Sequence, residues 1–179
     1  MASDNLKEFI KDYREEINNK KFEEVYASAD YELSDENIGK LTELFYKCGI
    51  DPLKYLNKVP RAFAYASSIK LIVIPSNIVS ISNSAFDHCA SLTSVTIGNG
   101  VTSIGSCAFN GCSSLKSIII PDSVTWIGWR VFNDCSSLKS ITYKGSKNQW
   151  DDIPKDTQWK NSSSLETIHC IDGDITYTR

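Results

Sequence analysis

From residue 59 onward the chain repeats itself every 23 residues. Residues 85–109, AFDHCASLTSVTIGNGVTSIGSCAF, align without a gap on residues 108–132, AFNGCSSLKSIIIPDSVTWIGWRVF. Apolar columns recur at that period. One is Phe63, Phe86, Phe109 and Phe132, and another is Ala66, Cys89, Cys112 and Cys135. Ile69, Leu92, Leu115 and Leu138 form a third, and Ile72, Val95, Ile118 and Ile141 a fourth. Ile74, Ile97, Ile120 and Tyr143 form a fifth, and Ile81, Ile104 and Ile127 a sixth. A unit this short cannot bury an apolar face alone. It can do so only against copies stacked on either side, so the pattern predicts a solenoid.

Within a unit, Leu92-x-x-Val95-x-Ile97 predicts a short strand with its apolar residues inward. Pro75, Gly98 and Pro121 break the chain after that strand. Val101-x-x-Ile104 predicts a second short strand, and the Ser-Cys-Ala-Phe stretch turns the chain into the next coil. Stacked parallel strands leave open ends, which must be capped to avoid edge-to-edge association.

Residues 1–58 read differently and predict a small helical domain that caps the first coil. Leu6, Phe9, Ile10, Tyr13 and Ile17 recur at helical spacing, and Phe22, Val25, Tyr26 and Ala29 suggest a second short helix. Ser34 reads as an N-cap followed by Asp35 and Glu36, where acids favour the helix dipole. Ile38, Leu41, Leu44, Phe45 and Cys48 supply the apolar stripe, and Gly49 the C-terminal stop. The segment holds thirteen acidic and nine basic residues, a net of −4; the whole chain carries −3, which leaves +1 for the rest.

The unit S-L-x-S-[IV]-x-I-P-x-x-V-T-x-I-G-x-x-A-F-x-x-C-S resembles the BspA-type leucine-rich repeat. The units beginning at Ser91-Leu92 and Ser114-Leu115 match it closely. The resemblance implies a leucine-rich-repeat β-solenoid over residues 59–179. It also implies that the tail, ITYKGSKNQWDDIP followed by TIHCIDGDITY, is the terminal segment common in that family. Trp150 and Trp159 then belong to the core of a C-terminal cap beginning near residue 145. Surface adhesion and protein recognition are the roles the family implies. The N-terminal stretch MASDNLKEFIKDYREE departs from secreted members, because it is charged from the fourth residue and shows no apolar signal core.

The columns also govern the cysteines. Cys89, Cys112 and Cys135 share one repeat position, as small buried hydrophobes do. With Cys48, Cys107 and Cys170 they are expected to be mostly reduced, as in a cytosol. The two histidines, His88 and His169, each precede a cysteine. A zinc site needs about four converging ligands, and the inward cysteine column leaves no room for an ion. No GxGxxG, P-loop or G-x-S-x-G motif occurs. Asp172-Gly173-Asp174 reads as a polar turn, too poor in ligands for calcium. No catalytic, cofactor-binding or metal-binding residue is assigned, and an enzyme is not expected. A pI near 5.4 argues against nucleic acid as partner, and no apolar run approaches the ~18 residues of a membrane span.

Recognition surfaces remain. Alternation along the main strands places Leu71, Ser94, Ser117 and Ser140 in one outward row, and Val73, Thr96, Ile119 and Thr142 in the next. If the tail pairs, Thr167 and His169 continue those rows. This face reads equally as a shallow docking surface or as a bland exterior. The second feature is a break in the repeat. Where one unit has Ser103, Ser106 and Cys107, the next has Trp126, Trp129 and Arg130. Tryptophan and arginine are enriched at binding hot spots. Two readings stay open: the C-terminal segment folds over these indoles as an aromatic cap, or they form an exposed binding patch.

The sequence therefore predicts an α+β chain, with a small helical domain at 1–58, then a leucine-rich-repeat β-solenoid of 23-residue repeats over 59–179 with a C-terminal cap. The expected role is non-catalytic protein–protein recognition in the cytoplasm, as an inhibitor or adaptor from a phage or mobile element. The alternative is a fragment of a secreted or cell-surface adhesin. Homo-oligomerisation through the solenoid face or the acidic head is a further expectation.

Overall fold

The computed structural model describes residues 63–66, 69–161 and 163–177. The helical domain expected over 1–58 lies outside the described residues. From Phe63 on, the chain winds as a β-solenoid of about four turns. Each coil contributes one four-residue strand and one two-residue strand. The long strands are β1 (Leu71–Ile74), β3 (Ser94–Ile97), β5 (Ser117–Ile120) and β7 (Ser140–Tyr143). The short ones are β2 (Ser80–Ile81), β4 (Ser103–Ile104) and β6 (Trp126–Ile127). All pair in parallel with their counterparts one coil away, at an offset of 23. The core lies between the two sheets.

The register follows from burial. In every long strand the second and fourth residues are buried while the first and third face outward. A slip of one residue would turn every isoleucine into solvent. The phenylalanine column stacks face to face: centroids are 5.1 Å apart for Phe63–Phe86, 5.2 Å for Phe86–Phe109 and 5.8 Å for Phe109–Phe132. Each such pair contributes about 0.5–1.5 kcal/mol beyond its buried area. The cysteine column stands beside it. Cys89, Cys112 and Cys135 donate their thiol protons to the carbonyls of Phe63, Phe86 and Phe109, at 2.9, 3.1 and 3.1 Å. No described cysteine is in a disulfide. Burial pushes the Cys112 thiol well up and the Cys135 thiol to about 12.

The turn between coils shows why small residues recur there. Ser84, Phe86 and His88 donate their amides to Ser106, Ala108 and Asn110 of the next coil, while Ala85, Asp87 and Cys89 close local turns to Ser82, Ser84 and Phe86. Amides thus alternate between local and inter-coil partners, which satisfies the backbone of the turn. The alternation demands left-handed residues at fixed places. Ser84, Cys107 and Arg130 form one such column, with φ of 55°, 57° and 50°. Tyr65, His88, Gly111 and Asp134 form the other. A left-handed non-glycine residue costs roughly 1–2 kcal/mol, and the ladder on both sides holds it there. Asp87, Asn110 and Asn133 run up the same turns as a polar ladder, each side-chain amide donating to the residue one coil back, at 2.7 and 2.8 Å.

The tail corrects the expected boundary. Rather than a lid beginning near residue 145, it is an enlarged fifth coil. Strand β8 (Thr167–Cys170) pairs in parallel with β7, Ser140 opposite Thr167 and Thr142 opposite His169. The offset is 27 residues instead of 23. Helix α1 (Lys147–Asp152) fills the added length, opened by a capping box in which Ser146 and Gln149 exchange hydrogen bonds. Trp159 then replaces the next phenylalanine, its carbonyl accepting the amide of Phe132 at 2.8 Å and its ring edge-on to Phe132. Trp150 sits edge-on to both Tyr143 and Trp159 and is fully buried. The expectation that Trp150 and Trp159 belong to cap core matches these positions. Strand β9 (Gly173–Thr176) folds back antiparallel on β8 through the Asp172-Gly173 turn, where Gly173 takes φ 121°.

Two outcomes follow from this packing. Phe109→Ala, in the middle of the stack, is expected to lower unfolding free energy by about 3–5 kcal/mol in a urea titration. The column thiols supply the second. Their folded pKa exceeds the unfolded value near 9, so the unfolded state ionises first as pH rises. Stability contributed below pH 9 is lost between 9 and about 12, and Cys135→Ala is expected to make that alkaline loss shallower.

Candidate functional site

The residues predicted as binding candidates fall on two separate surfaces. Val73, Thr96, Ile119 and Thr142 occupy one straight row across β1, β3, β5 and β7, extended by His169 on β8. Leu71 heads the neighbouring row of Ser94, Ser117, Ser140 and Thr167. Leu71 and Val73 are 60% and 56% exposed, while Thr96, Ile119 and Thr142 are half-buried. The row ends in an ion pair on each flank: Lys139 with Glu166 at 3.0 Å, and His169 with Asp174 at 2.9 Å. Both are exposed pairs of small energetic weight.

Trp126, Trp129 and Arg130 lie instead on the last coil of the three-stranded sheet. The fold that places them is the repeat itself. Trp126 takes the outward position of β6 opposite Ser103, and Ile127 takes the inward one. The enlarged fifth coil docks against this edge, with Ile127 donating its amide to the Pro154 carbonyl and bridging to Lys155. It does not close over the indoles. Trp126 remains 43% exposed and Trp129 41%. Of the two readings left open by the sequence, burial in an aromatic cap is therefore excluded for both. The cap used Trp150 and Trp159 for its core.

The local geometry makes the three side chains one unit. The Trp126 ring leans along the chain toward Gly128, where an added Cβ would stand 2.8 Å from Trp126 Cη2 and 2.6 Å from the Ser106 amide nitrogen. Only glycine fits there. Trp129 donates its indole N–H to Gln158 Oε1 at 3.3 Å, which ties it to the fifth coil from outside. Arg130 inherits the left-handed backbone of the repeat, and its guanidinium carbon stands 4.3 Å from the Trp129 ring centroid. That is a cation–π contact, worth about 0.5–1 kcal/mol at an exposed site. Arg130 Nε is buried with no hydrogen-bond partner among the described residues. A rigid indole under a fixed guanidinium offers large contact area at low entropic cost.

Sequence reasoning missed three features. Val79 is 56% exposed, where Thr102 and Thr125 stand in later coils; the repeat alignment carried that signal. Ile171, at the β8–β9 turn, is the most exposed large apolar side chain among the described residues. An open pocket of about 220 Å³ lies where the last full coil meets the fifth, between Asp122 and Asp152; only the insertion in the fifth coil creates it. Among the described residues, no three histidine, cysteine or acidic side chains converge on one point. No described helix is long and apolar enough to cross a membrane.

Exposure separates the two pairs of tryptophans energetically. Trp126→Ala/Trp129→Ala is expected to cost much less unfolding free energy than Trp150→Ala alone, for which about 3–5 kcal/mol is anticipated. Parallel urea titrations of the three proteins measure this.

Comparison with known proteins agrees with the coil count. Similar solved structures include a leucine-rich cell surface protein of Faecalibacterium prausnitzii A2-165, 31% identical, covering 56% of this chain and 34% of that one with a TM-score of 0.46. A leucine-rich repeat protein of Bacteroides ovatus ATCC 8483 is 28% identical over 56% of this chain and 30% of its own, also with a TM-score of 0.46. The leucine-rich repeat protein of T. pallidum is 24% identical over 58% and 60% of the two chains, again with a TM-score of 0.46. This chain thus spans about a third of the length of the first two. No curated protein matches it. The family model for the BspA-type leucine-rich repeat region matches residues 58–176 in six copies. With its columns, its register and this match together, the chain belongs to the BspA-type leucine-rich repeat family.

Proposed function

We propose that this chain is a non-catalytic protein-recognition module that engages its partner through Trp126, Trp129 and Arg130. Leucine-rich-repeat domains typically mediate protein–protein contacts, and solenoids present extended surfaces for them. The observation that carries the assignment to this patch is the half-exposure of two adjacent indoles, with a guanidinium stacked on one of them. Earlier coils show that serine and cysteine satisfy the same backbone. Folding therefore does not require the tryptophans, and recognition accounts for them.

The outward row of the six-stranded sheet is a second surface for the same role. Leu71 and Val73 stand exposed there among hydroxyl side chains. A large partner can span several coils along the row of Val73, Thr96, Ile119 and Thr142. The finer role is set by what is bound. A cytoplasmic enzyme or regulator as partner makes the chain an inhibitor or adaptor, as from a phage or mobile element. A host or matrix surface protein makes it part of an adhesin.

The test is capture from lysate and from host-cell surface extract, with the wild type beside Trp126→Ala/Trp129→Ala and Val73→Ser/Ile119→Ser. The expected result is a specific partner retained by the sheet-face variant and lost by the tryptophan variant, with circular dichroism unchanged in both. A partner held equally by the folded tryptophan variant would move the interface to the sheet face or elsewhere.

A further inference from the structure

The pocket between the last full coil and the fifth has a chemistry distinct from the indole patch. Its carboxylates are Asp122, from the turn after β5, and Asp152, the last residue of α1. Both are exposed at the rim. Val124 and Ile153 form apolar walls, and Tyr143 lies at the bottom. No lysine or arginine lines it. The nearest cation along the chain, Lys155, is turned inward: its ammonium donates to the Trp150 and Ile153 carbonyls and stands 4.8 Å from the Trp150 ring centroid. Gln149, also on the wall, has its side-chain oxygen held by the Ser146 amide.

Tyr143 is the independent sign that something is meant to enter. Its side chain is 2% exposed, and its ring packs against Trp150 and above Gly145. Its hydroxyl makes no hydrogen bond among the described residues, although a buried hydroxyl left unpaired costs about 1–3 kcal/mol. Desolvation first, and then the Asp122 charge, push its pKa up, so the phenol keeps its proton.

We infer that this pocket receives a lysine or arginine side chain of the protein partner. The aliphatic stem lies on Val124 and Ile153 while the charged head reaches Asp122 and Asp152 at the rim, as amphipathic cations bury stems and keep heads polar. The size fits a single side chain: about 220 Å³ is below the ~300–1,000 Å³ of pockets that enclose whole small molecules. Calcium is a poor fit, because it takes about six to eight oxygens and two walls here are hydrocarbon. Asp122 and Asp152 are absent from the repeat's apolar columns and contribute nothing to coil stacking. The inference rests on the proposed role in protein recognition. It adds a basic residue on the partner, set beside the indole patch, since Ile153 and Pro154 run alongside Thr125 and Trp126.

The test is a titration of the full ¹⁵N-labelled chain, followed by amide shifts, with N-acetyl-lysine methylamide and N-acetyl-arginine methylamide. The uncharged N-acetyl-norleucine methylamide and calcium chloride serve as separate arms. A cationic probe is expected to give saturable shifts at Val124, Thr125 and Ile153, weakened about tenfold or more in Asp122→Asn/Asp152→Asn. The same spectra report that the variant is folded. Equal shifts with norleucine, shifts with calcium alone, indifference to the double substitution, or no saturable shift would each overturn the inference. The capture experiment separates the two readings. A partner lost by the tryptophan variant but held fully by Asp122→Asn/Asp152→Asn sinks the pocket and leaves the patch. Cationic probes that bind while the tryptophan variant keeps its partner sink the patch and leave the pocket.

Discussion

Every coil of this protein is held in place by the parallel register with its neighbours. An offset of 23 residues brings isoleucine onto isoleucine, phenylalanine onto phenylalanine and thiol beneath carbonyl in one step. The strands are too short to be stable alone, with four residues in one sheet and two in the other. Their stability comes from stacking, so each coil depends on those beside it. The register also imposes left-handed residues at two places per turn, and the chain meets that demand with serine, cysteine, arginine, histidine, tyrosine and aspartate more often than with glycine. The inter-coil amides offset the strain this incurs.

Because the inside is fixed by repetition, the outside is free to vary. The turn that carries Ser106 and Cys107 in one coil carries Trp129 and Arg130 in the next without a change of backbone. Substitution at such positions alters the surface at little cost to the fold. The buried columns behave oppositely: they admit Phe, Leu, Ile, Val or Cys and nothing polar. The buried polar residues Asp87 and Asn133 belong to the side-chain ladder of the turns, where each has a partner one coil away.

The fifth coil is where repetition and variation meet. Four added residues make room for α1, and α1 brings Trp150 under Tyr143. That insertion ends the stack with an aromatic core and a β8–β9 hairpin instead of another open coil. The aspartates of the hairpin are put to local use, Asp172 accepting from the Lys147 amide and Asp174 facing His169. Charge along the terminal strand is one of the ways a sheet edge avoids pairing with another chain. The same insertion leaves the acidic pocket beside the last coil.

Much of this was legible in the residues. The period of 23, the inward columns, the two strands per coil, the outward rows and the continuation of those rows through Thr167 and His169 are all consequences of side-chain alternation, which a linear pattern records directly. The burial of Trp150 and Trp159 followed from resemblance to a family tail. Three things were settled only by the tertiary structure. The exposure of Trp126 and Trp129 depends on which tryptophans the fifth coil takes into its core, and an apolar indole satisfies either fate equally well. The stacking of Arg130 on Trp129 depends on a left-handed backbone that the arginine itself does not prefer. The pocket at Asp122 and Asp152 joins residues 30 apart in sequence, across an offset that breaks the period. Periodicity determines what faces inward, because burial is the same at every coil; what the surface presents depends on how the one irregular coil folds back on the regular ones.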